Sequence, residues 1–425
     1  MKLRTGWRSQ NGGVLVVTLF MSSLFGLFLF GYLNLVRSQR AMVARSQAWN
    51  SALALAEAGA EEALAHLNPG APQPVIDRAG NGWGRTRFGA CGPMVRNLNS
   101  GSYGVVFTDD RFPIIYSTGY VSVPSIPAKL KRIIRVETTN APLFTVAMAA
   151  RYNIDFLGNG VSTDSFDSAN PAFSNNGRYP VGDPTRTSTN GDVASIQGIL
   201  NVGNGNVNGA VLLGPTATDT IGSRGQVSGG VFNDFNVEFE DVILPPATWL
   251  PAISRPRLID GLSYAYIFEQ PGPQSYVIPN LSGGIYVGTN ANVTLKLMGN
   301  ANPSAIRVAG AGTNSGKLTI YMTGNSFTLN GASAVDGGNA LNLAYYGTTN
   351  NTELVLGGNA SFTGTIYAPQ ANFRLGGGGS SIYDFVGSSV TATVRMNGHF
   401  NFHYDENLRR AGPVRPYVAH SWREL

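Results

Sequence analysis

The chain carries an uninterrupted apolar run from Val14 to Val36 with no charged residue in it. Its length, roughly 20 residues, is what a helix needs to cross the hydrocarbon core of a bilayer. From Ala41 to Leu67 the pattern changes: Leu53, Ala56, Ala60, Leu64 and Leu67 recur at three- and four-residue spacing. That is the period of an amphipathic helix, with Glu57, Glu61 and Glu62 toward its other faces. Asn68-Pro69-Gly70 then supplies a stop. The pattern predicts one helix over 14–67, on the order of 80 Å long at 1.5 Å per residue, its first half in lipid and its second half packed on a domain.

The period then becomes that of strands. Ser102–Phe107, Pro113–Val121 and Leu130–Glu137 alternate apolar and polar residues, with Asp109-Asp110 and Pro124-Ser125 as turn chemistry between them. A three- or four-stranded antiparallel sheet within 82–142, lying against Ala41–Leu67, buries both apolar faces. Beyond Pro142 the texture is short apolar runs separated by Gly and Asn: 198–211, 354–367, Ala371–Leu375, Ile382–Val386 and Ser389–Met396. Runs of four to seven residues joined by glycine turns suit a parallel β-helix or other β-solenoid over 143–410, with inward Val, Ile, Leu and Phe and stacked Asn repeating rung after rung. A β-sandwich with long loops is the alternative. Asp241–Pro279, rich in proline, is expected outside the coil or linking two parts of it. Residues 411–425 read as a tail.

Composition sharpens this outline. Glycine is abundant (53 of 425 residues) and charged residues are only 13%, as an all-β body with many tight turns requires. The net charge of +5 is local: Lys2, Arg4, Arg8, Arg37, Arg40 and Arg45 precede every acid, which leaves 24 cations against 25 acids in the remaining chain. The body thus lacks the basic field of a nucleic-acid binder, and the cations flank the apolar run, where lipid head groups lie. Cys91, the single cysteine, excludes an intrachain disulfide and a cysteine-rich zinc site. The apolar run is longer than the core of a cleaved signal and lacks a small-residue cleavage site at its end, so it reads as an anchor. Basic residues on both sides leave its orientation nearly balanced by charge.

The basic leader 1–13 ending in Gly12-Gly13, the apolar helix, and Ala54-Leu55-Ala56-Glu57-Ala58-Gly59-Ala60-Glu61-Glu62-Ala63-Leu64 together resemble type IV pilins and pseudopilins, most closely the PilX-type pilus assembly proteins. The resemblance covers about the first 70 residues. It implies cleavage by a leader peptidase between Gly13 and Val14, and packing of the mature helix (Val14, Leu15, Phe20, Leu24, Phe28, Phe30, Leu33, Val36) among other such helices. It also implies a pilin-like head made of the helix and the small sheet. Two departures stand out: Thr18 occupies the fifth mature position, where major pilins carry glutamate, and Val14 stands where many begin with Phe or Met. Without that carboxylate the resemblance favours a minor, tip or accessory subunit. Residues 145–410 resemble an uncharacterised bacterial domain that often follows PilX-like N-termini. The pieces that carry this are Val161–Ser168, Phe362–Pro369, Asn397-Gly398 and Phe402–Glu406, and the domain brings no known reaction.

Candidate chemistry is sparse. Asp164, Asp167 and Asp192 on neighbouring rungs allow a calcium site or an acid–base pair, yet Asp-Ser-x-Asp is equally an Asx-turn signature. His399, His403 and Asp405 share one face of a period-two strand; zinc would need them to converge, and a capping rung that satisfies backbone groups is the alternative. Asn280, Asn292 and Asn359 fit the glycosylation sequon and are read as turn or ladder residues. Gly376–Gly379 lacks a lysine and a following helix, so it is no phosphate loop. No catalytic, cofactor-binding or metal residue is assigned, and no cofactor is expected. The expectation is a non-enzymatic, single-pass envelope component of a pilus or pilus-like secretion filament, with its bulk extracytoplasmic. Its partners would be membrane lipid, other pilin-like subunits through the N-terminal helix, and surface polysaccharide or other cell surfaces, with no nucleic acid. A membrane-tethered β-helix binding or acting on polysaccharide is the rival reading, and a plain anchored surface protein is the third.

Overall fold

The computed structural model describes residues 11–68, 78–87, 89–99, 101–123, 129–158, 160–310, 312–331, 333–377 and 385–425. The chain divides into two compact units, one of residues 1–67, 76–139 and 418–425, the other of 68–75 and 140–417. Pro69, Gly70, Pro124, Ser125, Gly378 and Gly379 lie outside the described residues, as do the leader residues 1–10.

In the first unit α1 (Asn11–Leu67) is a single 57-residue helix. From Gly13 to Leu35 every residue is exposed, whereas Ala48, Ala52, Leu55, Ala56, Ala60, Ala63 and Leu67 are buried. The buried seam is thus centred on alanines, and the predicted Leu53 and Leu64 lie half-buried at its flanks. Small side chains let the helix approach a sheet closely. That sheet is antiparallel throughout: β1 (Ala90–Leu98), β2 (Gly101–Thr108), β3 (Ile114–Val121), β4 (Leu130–Thr139) and a C-terminal strand, Val418–Glu424. On β3 alternate residues face the helix, and at Gly119 a methyl group would overlap the Ala52 carbonyl oxygen.

The expected tail is therefore corrected: Val418–Glu424 is an edge strand paired to β4. All seven of its side chains are exposed, so no apolar face betrays it in the sequence. Its pairing also means that the second unit is an insertion between two neighbouring strands of one sheet, not a domain following another.

The second unit is a parallel β-solenoid of about eight turns. Parallel register between successive rungs, such as Gly272–Ile278 with Ala291–Leu297 and the latter with Lys317–Met322, rules out the sandwich. The rungs do not follow chain order. Asn401–Asp405 pairs with Ser162–Phe166, Ser389–Thr391 with Met148–Ala150, and Val394–Met396 with Ile154–Phe156. The chain therefore enters at mid-stack, builds rungs outward to Phe232, returns to the far end, and builds rungs from Leu250 back to Asp405. Parallel pairing permits this because it requires only matching cross-sections and unpaired strand edges, not adjacency in sequence. Side chains match too: Phe362, Phe385 and Phe402 stack with centroids 5.1 and 4.1 Å apart in the core. This ladder of the expected inward phenylalanines carries the interior up to the junction.

The return path partly fits the linker expected at Asp241–Pro279. Phe235, Phe239 and Val242 are buried along it, and it is held by Phe235 N–H to Leu213 O (3.0 Å) and by the Tyr367 hydroxyl to Glu240 O (2.8 Å). Tyr367 is the last of a column of tyrosines, Tyr321, Tyr346 and Tyr367, which lie in register and are buried. Arg257–Ile259, Leu262–Phe268 and Gly272–Ile278, however, are strands of the terminal rungs, contrary to the expectation. Pro273 is tolerated there because the strand beyond it pairs only at Tyr276 and Val277, leaving the proline on an edge.

Candidate functional site

Two features of the chain are candidates for function. The first is the apolar half of α1. Val14, Leu15, Phe20, Leu24, Phe28, Phe30 and Leu33 are all exposed and Val36 is half-buried. Among the described residues this is the one helix long and apolar enough to cross a membrane, and a signal sequence would pass the same test. Thr18 sits on it without strain, its hydroxyl donating to the Val14 and Leu15 carbonyls at 3.0 Å each. Ser22 and Ser23 bond back to Leu19 O at 2.9 and 2.8 Å. In hydrocarbon such back-bonding satisfies the hydroxyls inside the helix. Thr18, Ser22 and Gly26 also recur at four-residue spacing, a small-residue row where another helix can approach. Gly13 and Val14 fall within α1, and the residues before Asn11 lie outside the described range.

The second feature is the polar cluster on the junction between the halves of the solenoid. His403 Nδ1 lies 2.5 Å from Asp164 Oδ1, and the Tyr179 hydroxyl donates to Asp164 Oδ2 at 2.8 Å. The Tyr179 ring stacks on His403 with centroids 3.7 Å apart, and burial, then the carboxylate beside it, drives the phenol's pKa far upward. Asp405 is fully buried. Its Oδ1 accepts from the backbone N–H groups of Ser168 (3.0 Å) and Asn407 (3.1 Å), while Oδ2 has no partner among the described residues. Burial pushes its pKa up to about 6. Glu406 accepts from the Ser165 hydroxyl (2.8 Å) and the Asn190 amide (2.9 Å).

The predicted carboxylates do not converge. Asp164 meets His403 and Tyr179; Asp167 meets Arg410 at 2.6 Å and closes an Asx turn onto Ala169 N–H. Asp192 accepts from Ala210 N–H at 2.8 Å and from Arg409 at 3.3 Å. Arg409 and Arg410 lie on a short helix, α2 (Leu408–Ala411), which clips the end of one half to the start of the other.

His403 and Asp405 do share a face of their strand, beneath the 167–190 loop. His399 does not, because the strand begins at Asn401 and leaves His399 exposed in the preceding turn. Nor is this a capping rung: strands flank it on both sides. Tyr179, Arg409, Arg410 and Glu406 were invisible to spacing arguments, since His403 and Asp164 are 239 residues apart.

The chain is thus a long-helix, small-sheet unit with a β-solenoid inserted in it. Residues 280–411 match a family described only as a domain of unknown function (DUF7305), and they cover the half of the solenoid that runs toward the junction. Among solved structures the chain is similar to the competence-associated pilin ComZ from Thermus thermophilus, at 12% identity and a TM-score of 0.24, with 88% of this chain and 97% of that one covered. A likeness that remote bears on no individual residue. No curated protein matches the sequence.

Proposed function

We propose that this protein is a non-enzymatic, PilX-like structural component of a type IV pilus or pilus-like secretion filament, anchored by α1, with its solenoid outside the cytoplasm. The observation that carries this reading is the division of α1. Its first half is apolar and exposed, while its second half is packed through alanines on an antiparallel sheet. An exposed apolar rod of that length needs lipid or other such rods around it. Thr18 at the fifth position after Gly13 offers no carboxylate to a neighbour's amino terminus, which favours a low-copy accessory or tip subunit over the bulk subunit. The non-catalytic reading is supported by the way Asp164, Asp167 and Asp192 are each held by separate partners.

Fractionation of cells before and after shearing tests the proposal. The protein should sit in the membrane fraction and appear, in small amount, with sheared filaments. Recovery as a soluble protein in both preparations would refute it.

A further inference from the structure

We infer that the solenoid carries a binding site for a short, uncharged saccharide on its flank, beneath the 175–181 turn. A cavity of about 390 Å³ opens there. Its floor is the outer surface of three successive rungs, contributed by Ala334 and Asp336, by Ser361 and Thr363, and by Val386. Its walls are the turn bearing Asn175 and Arg178 and the turn at Gly338–Ala340.

The walls are fixed. The Asn339 side chain accepts from Leu341 N–H at 2.9 Å and donates to Gly177 O at 3.1 Å, tying one wall to the other. Asp336 Oδ1 accepts from Gly338 N–H at 2.7 Å. Tyr179, next to Arg178, is locked between His403 and Asp164. The site is therefore formed before any ligand arrives, which lowers the ordering cost of binding.

The lining selects the ligand class. Arg178 and Asp336 face each other across 4.0 Å, too far for a tight pair, and both are substantially exposed, at 60% and 42%. Ser361, Thr363 and Asn175 line the same space with side chains that take part in no hydrogen bond among the described residues. A purely apolar ligand would strip these five groups of water and leave the Ser361, Thr363 and Asn175 side chains unpaired. A ligand of one charge would be drawn by one member of the Arg178–Asp336 pair and opposed by the other. Neutral polyols satisfy both, because each hydroxyl donates and accepts. Asp336 and Thr363 stand in register on adjacent rungs, about 4.8 Å apart, a spacing close to the advance of an extended hexose chain. Ala334 and Val386 give the ring C–H faces an apolar surface.

This site stands or falls separately from the filament proposal, since its test needs no filament. Full-length protein in detergent is screened on an array of neutral, anionic and cationic glycans, with free amino acids and tripeptides as competitors, and hits are measured by calorimetry. Binding of a neutral oligosaccharide is expected, weakened about tenfold in Thr363→Val and at least as much in Asp336→Ala, with unfolding temperatures within a few degrees of the parent. Thr363→Val keeps the side-chain shape, so it reports on the hydroxyl even if Asp336→Ala disturbs the Gly338 turn. Three results overturn the inference: no neutral glycan retained, retention unaffected by Thr363→Val, or competition by amino acids or peptides in place of sugars.

Discussion

His403 Nδ1 and Asp164 Oδ1 lie 2.5 Å apart across a rung boundary that joins chain segments 239 residues distant. With Tyr179 above them they bind the late half of the solenoid to the early half. The pair is nearly removed from solvent on the histidine side, with 5% of that side chain exposed. His403→Ala and Asp164→Ala should each destabilise the solenoid by about 1–3 kcal/mol, since each leaves a desolvated polar partner. The double variant should cost clearly less than the sum of the two. Chemical denaturation checks this, and strict additivity would mean that the two side chains do not act together.

Asp405 gives the junction a pH dependence whose sign follows from its burial. Burial raises its pKa from 3.8 to about 6 in the folded protein, so the folded state holds this proton more tightly than the unfolded one. Its contribution is most favourable below about pH 4 and is lost as pH rises toward 6, by on the order of 3 kcal/mol. Asp405→Asn keeps an oxygen for the Ser168 and Asn407 N–H groups and removes the buried charge. The variant should therefore be more stable than the parent at pH 7.5, and its advantage should shrink to nothing near pH 4. An advantage that persisted unchanged at pH 4 would contradict this account.

The return segment is held by packing more than by regular pairing. Phe239→Ala, at a position 4% exposed, should cost about 3 kcal/mol and loosen the segment from the tyrosine ladder. Limited proteolysis would then cut between 233 and 249 in the variant at protease levels that leave the parent intact. Equal resistance would show that the segment is secured elsewhere.

Added side-chain bulk should act differently where α1 packs on β3 and along its exposed apolar half. A methyl at Gly119 overlaps the Ala52 carbonyl, whereas a Cβ at Gly26 meets nothing within 4 Å. Gly119→Ala should lower the unfolding temperature of the head, by the 1–3 kcal/mol typical of overpacking. Gly26→Leu should leave the head's unfolding unchanged and reduce association in membranes, because it fills the row of Thr18 and Ser22. Crosslinking in bilayers measures the second effect, and undiminished crosslinking would remove that row from the helix-packing surface.

How much of this was legible in the sequence follows from where the information lies. α1 was readable because 23 uncharged, mostly apolar positions and an alanine-rich period are local signals. β2, β3 and β4 were readable from alternation. β1, interrupted by a bulge between Cys91 and Met94, and the wholly exposed Val418–Glu424 were not. The solenoid showed in its glycine turns, but its threading did not, because parallel pairing leaves no local trace of which rung comes next. The junction cluster suffered for the same reason. Asp164 and His403 were each singled out, yet nothing in the chain places them together or brings Tyr179 between the loop and the strand.

The measurement that bears most directly on the central claim is the mature amino terminus of the protein recovered from membranes and from sheared filaments. Sequencing or intact mass should give a chain beginning at Val14, with the residues through Gly13 removed, in both fractions. A chain that retains Met1, or one trimmed beyond Val36 and found free of membranes, would contradict the claim that α1 is a processed, lipid- and filament-embedded anchor.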